Sequence, residues 1–163
     1  MWWTFLHVLG WSTYIGGALV MELIWRPAQE DMPQSQIAVA CQWMGHRYRW
    51  IAAMALGSIG VSGAALLAQS DRHLSLSSSW GRTMWALILL WVALVITLGA
   101  IAFYGHPSLH SRMRADLSEE ERKAARERVR RAIHRMDILL RVDLALALLA
   151  TLLGAGLQVG GIL

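Results

Sequence analysis

The sequence predicts an all-α membrane protein: a four-transmembrane-helix bundle whose second and fourth helices extend into the cytoplasm. Three observations predict it. Of the 163 residues 56% are apolar and only 16% are charged, a balance outside that of soluble domains. The apolar residues fall into four blocks, Trp2 to Trp25 with the single acid Glu22, and the uncharged Trp50 to Ala68, Thr83 to Tyr104 and Leu144 to Leu163. Each block holds about 20 residues, enough at about 1.5 Å per residue to cover a hydrocarbon core of about 30 Å. None alternates polar and apolar residues as a strand of a membrane barrel does. A span must satisfy its own backbone hydrogen bonds, so helix is the solution left. Residues 1–163 thus form one domain, with spans over about 2–25, 48–68, 83–104 and 138–160 and a cytoplasmic helical extension over 118–137.

The first block has no basic n-region and outruns the apolar stretch of a signal peptide, so it is read as the first span. A turn around Asp31-Met32-Pro33 follows. After it Ile37, Ala40, Cys41 and Met44 recur at i, i+3, i+4 and i+7, so the second helix starts before the membrane. Cys41 is the only cysteine and is read as a small apolar helix residue. The loop Gln69 to Arg82 is short and Ser-rich, and Pro107 marks the end of the third helix. Ser118-x-x-Glu121 is a capping box, and Ala125, Val129, Ala132, Ile133, Met136 and Leu140 then trace one apolar stripe into the fourth span. The two extensions are expected to lie side by side and bury their stripes against each other; the alternative is a partner protein on the stripe. Ala53, Gly57, Gly60 and Ala64, Gly16 and Gly17, and Gly156-x-x-x-Gly160 are expected to form the seams where helices approach closely.

Charge sets the orientation. Of the 15 Lys and Arg residues only Arg72 and Arg82 lie between the second and third spans, which places both termini outside an integral membrane protein of a bacterial inner membrane. The net charge of +4 is therefore no nucleic-acid signal, because the basic residues flank spans on the side where anionic headgroups account for them. Trp2, Trp3, Trp80 and Trp85 are expected in an outer aromatic belt, with Trp25, Trp43, Trp50 and Tyr104 in an inner one.

No P-loop, paired CxxC, HExxH or Ser/His/Asp arrangement occurs, which leaves the six histidines. Only His7 lies well inside an apolar span, two turns from the outer side, while His73 lies in the outer loop. An imidazole in the bilayer must be paired or bound, so His7 is either an axial ligand to haem iron or the partner of a neighbouring helix. If haem b sits there, its other ligand is His73, a non-histidine group such as Met84, or nothing. His46, His106 and His134 lie at the inner mouth on three helices, where they could converge on a metal or remain hydrated interfacial side chains. Glu22, Asp137 and Asp143 make an acidic set there, with Arg26 and Arg141 at helical spacing from Glu22 and Asp137. This set reads as a proton relay, as a grip on a cofactor's propionates through Arg47, Arg49 or Arg141, or as ion pairs that fix helix register.

The run His7-Val-Leu-Gly-Trp-Ser-Thr-Tyr14-Ile-Gly16-Gly17 resembles the H-x6-[WY]-x-[GA]-G signature of small four-span proteins, the HemJ-type protoporphyrinogen oxidase and copper-resistance D-like group. His46-Arg47-Tyr48-Arg49-Trp50 and His134 to Asp143 look like that group's basic entries to the second and fourth helices. The chain departs from the oxidases at Glu22, near where they carry Arg, and at Leu23-Ile-Trp-Arg-Pro-Ala. The resemblance implies a haem b-binding bundle with His7 as ligand and Tyr14 beside it, acting on a quinone or porphyrin-like molecule. The expected function is therefore a haem b-binding membrane protein with a redox or electron-transfer role near the outer face. Two other classes stand beside it: a non-catalytic small subunit of a larger membrane complex, or of a homo-oligomer, and a copper transport protein.

Overall fold

The computed structural model of the chain describes residues 1–72, 74–109, 119–160 and 162. Its elements are α1 (Trp2–Val20), a π-helical turn (Met21–Trp25), α2 (Arg26–Glu30), α3 (Gln34–Ala68), α4 (Ser79–Leu109) and α5 (Glu119–Gln158). The first three form one rod. Four segments, Trp2–Glu30, Trp43–Ala68, Ser79–Phe103 and His134–Gln158, are long and apolar enough to cross a membrane. The chain is an integral membrane protein built as an all-α four-helix bundle.

Pro27 accounts for the π turn. A proline within a helix has no N–H for the carbonyl four residues back, that of Leu23, and its ring crowds that carbonyl. A turn widened by one residue relieves the clash, and π turns are the usual form of that insertion. Trp25 sits in this turn and is only 9% exposed, so it packs inside the bundle instead of joining an interfacial belt. Trp2, Trp43, Trp50 and Trp85 are exposed. Pro107, expected to mark the end of the third helix, is followed by two more helical residues, to Leu109.

α3 and α5 begin at Gln34 and Glu119, well before their spans. With 40 residues α5 is about 60 Å long at about 1.5 Å per residue, twice what a bilayer core requires. The packing is pairwise: α1 lies along α3 and α4 along α5, with narrower α3–α4 and α1–α5 contacts closing the ring. α3 and α5 occupy a diagonal and share no extended interface among the described residues. The expected burial of one extension against the other is therefore not observed, because consecutive antiparallel rods take the adjacent positions. Met44, Met136 and Leu140 instead face one another as walls of an open cleft. The stripe positions Cys41, Ala125, Val129, Ala132 and Ile133 have side chains outside the described set.

The core consists of Tyr14, Ala52, Ala55, Leu56, Ile59, Leu94, Leu98 and Ala147. Its seam differs from the expected one. Ala53, Gly57 and Ala64 are exposed, and the α3 face that meets α1 is the one carrying Ala52, Ala55 and Ile59. Gly10 permits that approach, since a Cβ there would lie 3.1 Å from the Ala55 carbonyl oxygen and 3.0 Å from Ile59 Cγ1. Gly60 is the one member of the expected α3 series that meets another helix, under the Trp91 ring of α4. The Trp91 Nε1–H donates to the Leu56 carbonyl at 3.1 Å. Thr97 and Thr151 return their hydroxyls to the carbonyls of Ala93 and Ala147, each at 2.8 Å, which is how a hydroxyl is satisfied in an apolar span.

Candidate functional site

Polar side chains enter the bundle at three levels. At the end that holds the α3–α4 connection, His7 lies on the buried face of α1, one turn before Gly10. Its Nδ1 is 3.0 Å from Ser62 Oγ on α3. Ser62 is fully buried, and its hydroxyl donates back to the Ser58 carbonyl at 2.5 Å. A serine has one proton to give. With that proton turned to its own helix, Ser62 is placed to accept from His7 Nδ1–H, and the Ile59 carbonyl is a second hydrogen-bond acceptor for the imidazole. Gly63 completes the seat, since a Cβ there would stand 3.3 Å from His7 Cε1. Ser58 adds a contact of its own hydroxyl to the Leu6 carbonyl at 3.3 Å.

At the middle level Tyr14 and Asp143 pair with each other. The Tyr14 hydroxyl donates to the carboxylate, 2.7 Å from Oδ1 and 2.8 Å from Oδ2, and the two residues are 1% and 2% exposed. Tyr14 was expected beside a cofactor and Asp143 within the acidic set; the fold joins them instead across α1 and α5. No described cation pairs with Asp143. Tyr48 reaches the same layer from α3, with its ring against Gly17 and its buried hydroxyl without a hydrogen-bond partner among the described residues.

The third level lies toward the extensions. Arg26 bridges Glu22 and Asp137, with nitrogens 2.7 Å from each carboxylate, and Arg141 Nε adds a contact to Glu22 at 3.3 Å. The helical pair Glu22–Arg26 is as expected, whereas Asp137 and Arg141 reach across to α2 and the π turn rather than to each other. Glu22, Arg26 and Asp137, partly exposed, line a cleft whose apolar end is formed by Ala18, Met44 and Leu140. Arg49 donates to the carbonyls of Gly45 at 2.9 Å and Ala102 at 3.0 Å, tying α3 to α4. Arg47 is exposed and stacks on Trp43 at 5.5 Å. All three arginines expected to grip propionates thus make protein contacts, Arg47 with Trp43, Arg49 with backbone carbonyls and Arg141 with Glu22.

His46 and His134 are exposed on separate helices. His106 lies on α4 with its side chain outside the described set, and His73 lies outside the described residues altogether. Among the described residues no group of three or more His, Cys, Asp or Glu could hold a metal ion. Sequence reasoning missed Ser58, Ser62 and Tyr48. The Ser58-x-x-x-Ser62 spacing signals two hydroxyls on one helix face, but which helix faces them is a matter of packing.

The donor chemistry at His7 fits one axial ligand to a haem iron: a neutral imidazole oriented by a hydrogen bond at its other nitrogen is how metal-ligating histidines are held. His7 and the Ser62 and Gly63 seat are the residues that would hold it. No family model matches the chain, and no curated protein or solved structure matches it either.

Proposed function

We propose that this protein is a haem b-binding integral membrane protein of a bacterial inner membrane, with a redox or electron-transfer role near the face that carries the chain termini. The observation that carries the reading is the His7–Ser62 pair. A histidine inside a span needs a reason, and the pairing of its Nδ1 with Ser62 is compatible with ligation through Nε2. Haem bound there would supply one-electron chemistry, and the chain's own part is to seat the group and fix the imidazole tautomer. Its electron partner would be a quinone or a porphyrin-like molecule dissolved in the bilayer. The positive-inside distribution supports termini outside.

The test is the optical spectrum of the detergent-purified protein, oxidised and dithionite-reduced, beside His7→Ala. Reduced haem b bands that vanish in His7→Ala support the reading. A colourless wild type purified from haem-replete cells overturns it. A non-catalytic subunit of a larger membrane complex is the second reading, favoured by the length of α5 beyond its span and the lack of an α3 partner for it. Stable co-purification with larger redox subunits, together with a colourless chain, would select it.

A further inference from the structure

The middle level has a chemistry that neither the His7 site nor the ion-pair cluster uses. Asp143 is 2% exposed, receives one hydroxyl donor, and faces no described cation. An ionised carboxylate accepts about four hydrogen bonds and is costly in an apolar interior unless a positive partner neutralises it. Among the described residues, the charges nearest to it are committed elsewhere. On α1 and the π turn the groups are Tyr14 and Glu22; on α2, Arg26, bound to Glu22 and Asp137. On α3 they are Tyr48 and Arg49, the latter bound to backbone carbonyls. On α5 they are Asp137 and Arg141, and the core-facing positions of α4, Leu94, Thr97, Leu98 and Ile101, carry no charge.

A cleft runs toward this layer. The apolar end of the cleft is formed by Ala18, Met44 and Leu140, and each lies about one helical turn from a member of the polar layer: Tyr14, Tyr48 and Asp143 respectively. The cleft opens at the other end past the partly exposed Glu22, Arg26 and Asp137. One turn, about 5.4 Å of helix rise, therefore separates the inner wall of the cleft from the residues of the polar layer.

We propose that Asp143 is a proton-binding site at the centre of the bundle, exchanging with water through this cleft, with the hydroxyls of Tyr14 and Tyr48 solvating its two protonation states. On loading, a proton from water forms an O–H bond at a carboxylate oxygen of Asp143; on release that bond breaks and the proton returns to water, with no change of redox state. Tyr14 donates to the ionised form. The Tyr48 oxygen, buried with no partner among the described residues, is the acceptor that the protonated form requires. The site does not depend on haem at His7.

The experiment is infrared difference spectroscopy of the full chain in nanodiscs, titrated from alkaline to acidic buffer in H2O and in D2O. The expected result is a protonated-carboxyl band from a buried group, shifted in D2O, that is lost in Asp143→Asn, retained in Asp137→Asn and moved in frequency by Tyr48→Phe. Tyr48→Phe keeps the carboxyl and removes one oxygen, so it tests the site even if Asp143→Asn fails to fold. A band unchanged by Asp143→Asn or by Tyr48→Phe, or one displaced by sodium at constant pH, overturns the proposal. A colourless protein that keeps the band would end the haem reading and leave this one standing.

Discussion

A single hydroxyl proton decides what His7 presents. Ser62 Oγ lies 2.5 Å from the Ser58 carbonyl and 3.0 Å from His7 Nδ1, so a proton turned to its own helix leaves it to accept from the imidazole. Removing that acceptor by Ser62→Ala frees the imidazole to rotate and change tautomer. On the proposed function it should weaken haem retention about 10- to 100-fold, the usual cost of losing such a support, read by haem titration of the apoprotein. Tyr14 offers a second test at this scale. Tyr14→Phe removes the only described hydrogen bond to Asp143, and a buried acceptor deprived of its donor costs about 1–3 kcal/mol. The unfolding midpoint in mixed detergent and SDS micelles should fall accordingly, and an unchanged midpoint would mean that the pair contributes nothing to the fold. His7, Tyr14 and Asp143 could each be singled out in the sequence because polar groups in apolar spans stand out. Their partners could not, since Ser62 lies 55 residues from His7 and Asp143 lies 129 from Tyr14.

Among the elements, α3 shows how packing chooses a face. A poly-small helix offers more than one seam, and Ala53, Gly57 and Ala64 had as good a pattern as Ala52, Ala55 and Ile59. The choice falls to the face that can also place Ser62 against His7 and admit Gly10. Gly60 and Gly57 then give a matched pair of substitutions. A Cβ at Gly60 would stand 2.6 Å from Trp91 Cζ2, so Gly60→Leu should destabilise by about 1–3 kcal/mol through overpacking. Gly57 has nothing within 4 Å, so Gly57→Ala should move stability by no more than about 0.5 kcal/mol. Equal losses in the same SDS titration would refute this packing. The π turn is the other feature at this scale. Pro27 was visible in the sequence, but the inward placement of Trp25 follows from the widened turn and could not be read from its position near a span end.

For the whole molecule, an outward surface of Phe5, Leu23, Met54, Leu89, Ile96 and Leu152, each at least half exposed, demands lipid or detergent around it. The orientation expected from the charges has a direct test in a Cys41→Ala background. Ser77→Cys should react with a membrane-impermeant maleimide on intact cells, and Lys123→Cys only after permeabilisation; the opposite pattern would invert the protein. The number and helical state of the spans were determined by the sequence alone, because bilayer thickness and the need to satisfy every backbone hydrogen bond leave one solution for blocks of this length. The helical run-on of α3 and α5 was likewise written in local periodicity. Only the tertiary structure decided that α3 and α5 stand on a diagonal, that Arg26 and Arg141 reach across to the other helix, and that Tyr14 closes on Asp143. Those are choices between faces of helices that are apolar nearly all round. Periodicity carries no information where both faces suit lipid, so close packing and the few buried hydrogen bonds decide.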